Sequence, residues 1–152
     1  MLISEIYHPR PKTMVATATI DEAVEELLKD EVNALVIIDK NKKVVGILSL
    51  QDIAAATVPR QFRKNIRMAA AMYKPGFFTE MCQQLKDQPI STVMRKEFVA
   101  VDLDDNIMAV TADFLKNDLY IVPVINDGKL LGVVTRSEIK KALHYGMRDV
   151  KK

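Results

Sequence analysis

Cysteine is almost absent from this 152-residue chain. Cys82 stands alone, which excludes an intrachain disulfide, and with only His8 and His144 beside it a zinc site of Cys and His ligands has too few candidates. An excess of one charge is missing too. Twenty-two Lys and Arg face 20 Asp and Glu, for a formal net charge of +2, so no global field draws in nucleic acid or an anionic membrane. Any anion site must be local. No apolar run approaches the ~18 residues of a transmembrane helix, and Met1-Leu2-Ile3-Ser4-Glu5 meets a carboxylate too early for a signal peptide. These absences lead to the expectation of a cytoplasmic protein with no metal, no nucleic acid and no membrane among its partners. What is present suits a folded domain. Hydrophobic residues make up 49% and charged residues 28%, far from the composition of disorder, and the length fits one domain or a pair of small repeats.

The sequence repeats itself. Residues 20–38 and 107–125 align at an offset of 87 residues. Each copy opens with apolar residues at helical spacing, Ile20, Ala23, Val24, Leu27 and Leu28 in one and Ile107, Val110, Phe114 and Leu115 in the other. A polar step follows, Lys29-Asp30-Glu31 or Lys116-Asn117-Asp118, and then a buried-strand pattern, Ala34-Leu35-Val36-Ile37-Ile38 or Ile121-Val122-Pro123-Val124-Ile125. A turn comes next, Asp39-Lys40-Asn41-Lys42-Lys43 or the one-residue-shorter Asn126-Asp127-Gly128-Lys129, whose Asp-Gly pair suits a tight hairpin. The strands beyond it, Val44 to Leu48 and Leu130 to Val134, each run through a hydroxyl into a second helix. The unit is strand, helix, strand, strand, helix, twice over.

Residues 58–89 belong to neither copy. Arg60, Arg63, Lys64 and Arg67 fall at i, i+3, i+4 and i+7, which predicts one basic stripe on a helix after Pro59, with Ile66, Met68, Ala69, Ala70 and Met72 on its apolar side. Pro75-Gly76 should end that helix, and Phe77, Phe78, Met81 and Leu85 predict a second amphipathic segment before Pro89. The expectation is an ordered helical insertion whose Met68, Met72 and Met81 fill core or form a dimer contact.

The chemistry concentrates where the second strand of each pair becomes a helix. Gly46-Ile47-Leu48-Ser49-Leu50-Gln51-Asp52 and Gly132-Val133-Val134-Thr135-Arg136-Ser137-Glu138 share one pattern. A glycine in a buried strand admits the close approach of another backbone or of a flat ligand. The hydroxyl stands at a helix start, where free N–H groups favour a phosphate. Asp52 or Glu138, three residues on, suits the hydroxyls of a ribose diol, which seek a carboxylate acceptor. The same Ser-x-x-Asp and Thr-x-x-Glu spacings are also plain capping boxes, and the residues alone leave both readings open.

At these residues the sequence resembles the CBS-domain family, βαββα modules that work in tandem pairs. The resemblance implies an α/β (α+β) fold in which two repeats pack as a pseudo-twofold pair. Residues 1–57 would form the first repeat with an N-terminal segment, 58–89 the helical insertion, 90–147 the second repeat and 148–152 a tail. It further implies a stand-alone regulatory protein, not an enzyme, whose inter-repeat cleft binds an adenosine-containing ligand (AMP, ADP, ATP or S-adenosylmethionine) and which signals occupancy to an effector protein, as a homodimer. Carried over by position, the better site joins Ser49 and Asp52 to Val99, Leu119 and Tyr120. The weaker site joins Lys12, Val32 and Asn33 to Thr135, Arg136 and Glu138, and departs from the family in Glu138 for Asp and in Lys12 for a small or apolar residue. Lys12 and Arg136 either serve a phosphate-rich ligand there or are solvated cations.

The competing reading is an interaction protein with a vestigial pocket that docks a partner through the insertion helix. Cys82 and the two histidines share no motif that would make them a nucleophile and base. With a near-neutral net charge, the basic stripe reads as a solvated face and not as a nucleic-acid surface.

Overall fold

The computed structural model of the chain describes residues 1–152 except 66, 68, 69, 71–73, 118, 120 and 149–152. In chain order the regular elements are β1 (Thr13–Val15), α1 (Ile20–Asp30), β2 (Ala34–Ile38), β3 (Val44–Ser49), α2 (Leu50–Ala56), α3 (Phe77–Leu85), α4 (Ile107–Asn117), β4 (Ile121–Asn126), β5 (Lys129–Thr135) and α5 (Arg136–Arg148). Short 3-10 turns at Ile3–Glu5, Arg60–Phe62 and Ile90–Thr92 join them.

Local signals account for most of these boundaries. Thr19 caps α1, its Oγ1 accepting from Glu22 N (3.1 Å) while Glu22 Oε1 accepts from Thr19 N (3.1 Å), and Glu31 ends the helix in the left-handed region at φ 51°. Ile20, Ala23 and Leu27 of α1 are buried. β2 runs parallel to β1 and antiparallel to β3, pairing Ile37 with Gly46. β4 and β5 pair antiparallel, Val124 opposite Gly132, across a turn in which Asp127 and Gly128 both have positive φ (52° and 76°). That is the backbone the Asp-Gly pair favours. The first strand of the second repeat is reduced to one bridge, Val101 beside Val124.

The segment leading into each repeat crosses to the other repeat. Ile3 and Ile6 are buried among Val101, Val110, Val122, Val124 and Val134 of the second repeat, and Ile90 is buried among Ile20, Leu27, Leu35, Ile37 and Leu48 of the first. The exchange is reciprocal. His8 and Val133 trade N–H···O bonds of 2.8 and 2.9 Å, and 87 residues later Arg95 and Ile47 trade bonds of 2.8 and 3.0 Å. The leads also close the helix starts, since Ile20 N and Asp21 N donate to Gln88 O and Lys86 O, and Ile107 N donates to Met1 O. Fully burying a side chain such as Ile3 or Ile90 is worth ~1.5–3 kcal/mol, so each lead adds to a core it does not adjoin in sequence. A third cluster, Ala34, Val36, Val44 and Ile47 against Ile121 and Val133, joins the two sheets.

The two repeat glycines serve this crossing. A Cβ at Gly46 would lie 2.8 Å from Arg95 O and 2.8 Å from Met94 Sδ, and one at Gly132 would run into His8 O and the Tyr7 ring. The close neighbours that the glycines admit are therefore backbone oxygens of the crossing leads, with the Met94 and Tyr7 side chains beside them.

The insertion departs from expectation in one respect. Arg60, Arg63, Lys64 and Arg67 do not share one helix, because Arg60–Phe62 is a 3-10 turn, a further turn occupies 63–64, and Arg63 Nε donates back to Val58 O (2.8 Å). That bond folds the chain back towards residue 58 and breaks the stripe. The apolar positions Ile66, Met68, Ala69 and Met72 lie outside the described residues, apart from the exposed Ala70. The second segment is the helix α3, preceded by Gly76 at φ 86°; Met81 is half-buried and Phe78 is exposed.

The crossing predicts a difference between two glycines. Gly132→Ala forces methyl against backbone and should cost about 1–3 kcal/mol. Gly146→Ala in α5, where a Cβ meets nothing within 4 Å, should leave stability unchanged or raise it by up to ~1 kcal/mol. Urea denaturation of both variants checks this, and equal effects would refute the close-approach account.

Candidate functional site

Two clefts lie where the crossing leads emerge beside the helix starts of α2 and α5. The first, of about 400 Å³, is lined by Ile47, Ser49, Asp52, Arg95, Glu97, Phe98, Val99, Asn117, Leu119 and Ile121. The structure thus brings together Ser49, Asp52, Val99 and Leu119 of the site expected from the sequence. Tyr120, and Asp118 of the polar step, lie outside the described residues.

Asp52 holds a double role there. Its Oδ2 accepts from Ser49 N (2.9 Å) and Ser49 Oγ (2.8 Å), and Ser49 Oγ accepts from Asp52 N (3.2 Å). This is a complete capping box. Its Oδ1 faces the other way and accepts from Arg95 Nε at 3.0 Å, an ion pair in which the Asp52 side chain is 11% exposed and that of Arg95 46%. The helix cap and a cleft-facing charge coexist on one carboxylate. Ser49, 3% exposed, spends its hydroxyl proton on Asp52, so the hydroxyl is not the ready phosphate donor that its place at a helix start suggests.

The second cleft, of about 590 Å³, contains every residue of the weaker expected site, Lys12, Val32, Asn33, Thr135, Arg136 and Glu138, together with His8, Arg10, Asp30, Glu31, Ser137 and Lys141. Lys12, its side chain 43% exposed, is held in an ion pair at the rim of this cleft. Its Nζ pairs with Asp30 Oδ2 at 3.0 Å and Glu26 Oε2 at 3.4 Å, both on α1. The hydrogen bond that Lys12 donates to Asp30, then that to Glu26, raises the Lys12 pKa above its ordinary 10.5, and the bond accepted from Lys12 holds the Asp30 carboxyl below its ordinary 3.8. Glu138 is 3% exposed, and its Oε1 accepts from Thr135 N (2.8 Å) and Thr135 Oγ1 (2.7 Å). It caps α5 from inside, where a ligand reaches it less readily than Asp52.

Sequence reasoning missed Arg95, Glu97 and Phe98 in the first cleft and His8 and Arg10 in the second. All five lie on the crossing leads. A signal was available: Ile3-Ser4 and Ile90-Ser91 keep the 87-residue offset, which extends the repeat upstream of the first strand and aligns His8 with Arg95. The candidates for nucleophile and base sit on different segments, half-buried Cys82 on α3, His8 on the first lead and His144 on α5, edge-on to Tyr145 at 5.9 Å. Among the described residues no cluster of His, Cys, Asp and Glu could hold a metal, and no helix is long and apolar enough to cross a membrane.

This architecture has relatives. A family model described as the CBS domain matches the chain twice, at residues 3–58 and 90–145. The chain belongs to the CBS-domain family. A 17.7 kDa protein of Acidianus ambivalens is 25% identical to this CBS pair over 142 residues, 93% of this chain and 72% of its own length. CBSX2 from Arabidopsis thaliana, a CBS-pair protein, superposes with a TM-score of 0.77 at 21% identity, covering 98% of each chain. The CBS domain pair of protein MJ0100, solved in complex with 5′-methylthioadenosine and S-adenosyl-L-methionine, is 25% identical with a TM-score of 0.70, covering 94% of this chain and 99% of its own.

The ion pairs of the second cleft set a pH window. Asp30, lowered, contributes stability above pH 3.8 that is lost as pH falls through its folded pKa; Lys12, raised, contributes below pH 10.5 and loses its contribution as pH rises through its own. The pair is therefore intact at neutral pH. Carboxyl-detected NMR titration should place the Asp30 midpoint below 3.8 in the wild type and move it upward in Lys12→Met; an unchanged midpoint would show that Lys12 does not hold Asp30.

Proposed function

We propose that this CBS pair is a regulatory module that binds an adenosine-containing ligand of the AMP, ADP or ATP class, or S-adenosylmethionine, in the first cleft. The observation that carries the proposal is Asp52, a nearly buried carboxylate whose Oδ1 faces a cleft of ligand size beside apolar Ile47, Phe98, Val99 and Leu119. A ribose needs that acceptor, and an adenine ring needs flat apolar walls. The MJ0100 pair with its bound adenosine derivatives, and CBSX2 solved in complex with AMP, support the ligand class by likeness. Val99, Leu119, Ser49 and Asp52, with Tyr120, form the proposed site. The second cleft is the weaker candidate, because Glu138 is committed to its cap and Lys12 to α1.

Occupancy becomes a signal only if the ligand binds two states with different affinity. The leads supply a route, since the first cleft is built from Asp52 of one repeat and from residues 95–99 that cross between repeats. We further propose that the module works as a homodimer acting on an effector protein. Leu28 of α1 and its counterpart Leu115 of α4 are 74% and 84% exposed, and Met108 and Met147 are 69% and 77% exposed. Matching apolar positions on both repeats favour a second copy as the cover. Sedimentation at micromolar concentration should give twice the 17.1 kDa chain mass, and a monomer would refute the dimer.

Asp52→Asn tests the site. As a ribose acceptor it should lose about 1.5–3 kcal/mol of AMP affinity, more than tenfold, with about 1 kcal/mol or less of stability. Glu138→Gln, as a cap, should change stability by a similar amount and AMP affinity in the first cleft hardly at all. Calorimetric titration with AMP decides. Equal affinity of Asp52→Asn and wild type would defeat the ribose assignment and favour the interaction-protein reading with a vestigial pocket.

A further inference from the structure

We infer that Arg95 is the specificity-determining residue of the first cleft, exchanging Asp52 for the phosphate of a 5′-phosphorylated adenosine ligand and so selecting AMP over adenosine; this rests on the ribose reading of Asp52. A carboxylate offers about four lone-pair positions, and Asp52 already uses three, on Ser49 N, Ser49 Oγ and Arg95 Nε. Only one remains. A ribose diol presents two hydroxyls, and the two bonds from Ser49 hold the start of α2, so the partner that yields is Arg95.

Charge then decides where Arg95 goes. Among the described residues lining the cleft, Asp52 and Glu97 are anions and Arg95 is the one cation. The Ser49 hydroxyl proton is committed to Asp52, and α2, seven residues long, is too short to supply a strong dipole. Once Asp52 turns to the ribose, Arg95 is the counter-charge that the described lining residues offer a phosphate. The side chain is placed for the exchange: it is 46% exposed and meets Asp52 side-on through Nε, a contact that does not use the fork of terminal N–H donors that matches phosphate oxygens. A neutral nucleoside must break the Arg95–Asp52 pair without that compensation. A phosphorylated one breaks it and forms another.

Calorimetric titration of wild type and Arg95→Gln with AMP and with adenosine tests the exchange. The wild type should prefer AMP. In Arg95→Gln, AMP affinity should fall at least tenfold while adenosine affinity stays the same or rises, because Asp52 is then free, and the preference should vanish. Arg95→Lys, which keeps the charge without the fork, should retain a reduced preference. An AMP-over-adenosine ratio in Arg95→Gln within threefold of wild type would overturn the inference while leaving Asp52 as the ribose acceptor. Failure of the wild type to bind either ligand would overturn both.

Discussion

The reciprocal crossing of residues 3–8 and 90–95 is the constraint on which the rest of the molecule depends. Neither repeat completes its own core. The second needs Ile3 and Ile6, the first needs Ile90, and each crossing is pinned by a pair of backbone hydrogen bonds laid against a glycine. Such an exchange makes the two repeats one cooperative unit, because pulling one lead away removes buried apolar area from one repeat and unpairs backbone groups in both. It also explains why the glycine of the heptapeptide stands in the middle of a strand, where glycine otherwise weakens pairing.

The same crossing builds the clefts. Where a lead emerges beyond its glycine it passes the start of a helix, and it brings side chains of its own: Arg95, Glu97, Phe98 and Val99 beside Asp52, and His8, Arg10 and Lys12 beside Glu138. The repeats are alike in backbone, and the leads make their clefts unlike in chemistry. In one, a single cation pairs with the carboxylate that also caps the helix. In the other, the carboxylate is turned inward and the lysine is drawn to α1 by two acidic residues.

Capping and ligand recognition are not alternatives at Asp52. A carboxylate has two oxygens, and the fold spends one on the helix start and presents the other to the cleft. That arrangement ties the acceptor rigidly to the backbone of α2, so the atom offered to a ligand costs little to hold in place. At Glu138 the longer side chain lets the carboxylate tuck in beside Thr135 and become buried. One extra methylene separates a carboxylate that caps and also faces the cleft from one that only caps.

Much of this was legible in the sequence because it is written locally. Helix periodicity from Ile20 and Ile107, the two buried strand pairs, the Asp127-Gly128 turn and the capping boxes depend on residues a few positions apart, and the structure shows each of them. The resemblance to CBS domains, carried by the two heptapeptides, extended that reading to the fold and to Ser49 and Asp52. The basic stripe from Arg60 to Arg67 failed because a turn at 63–64, closed by a bond from Arg63 to Val58, interrupts the helical spacing. The exchange of leads, the ion pair between residues 43 positions apart at Asp52 and Arg95, and the capture of Lys12 by α1 are decided only in three dimensions. Each joins segments whose own sequences carry no mark of the partner, and which partner is met follows from how two apolar cores close over one another.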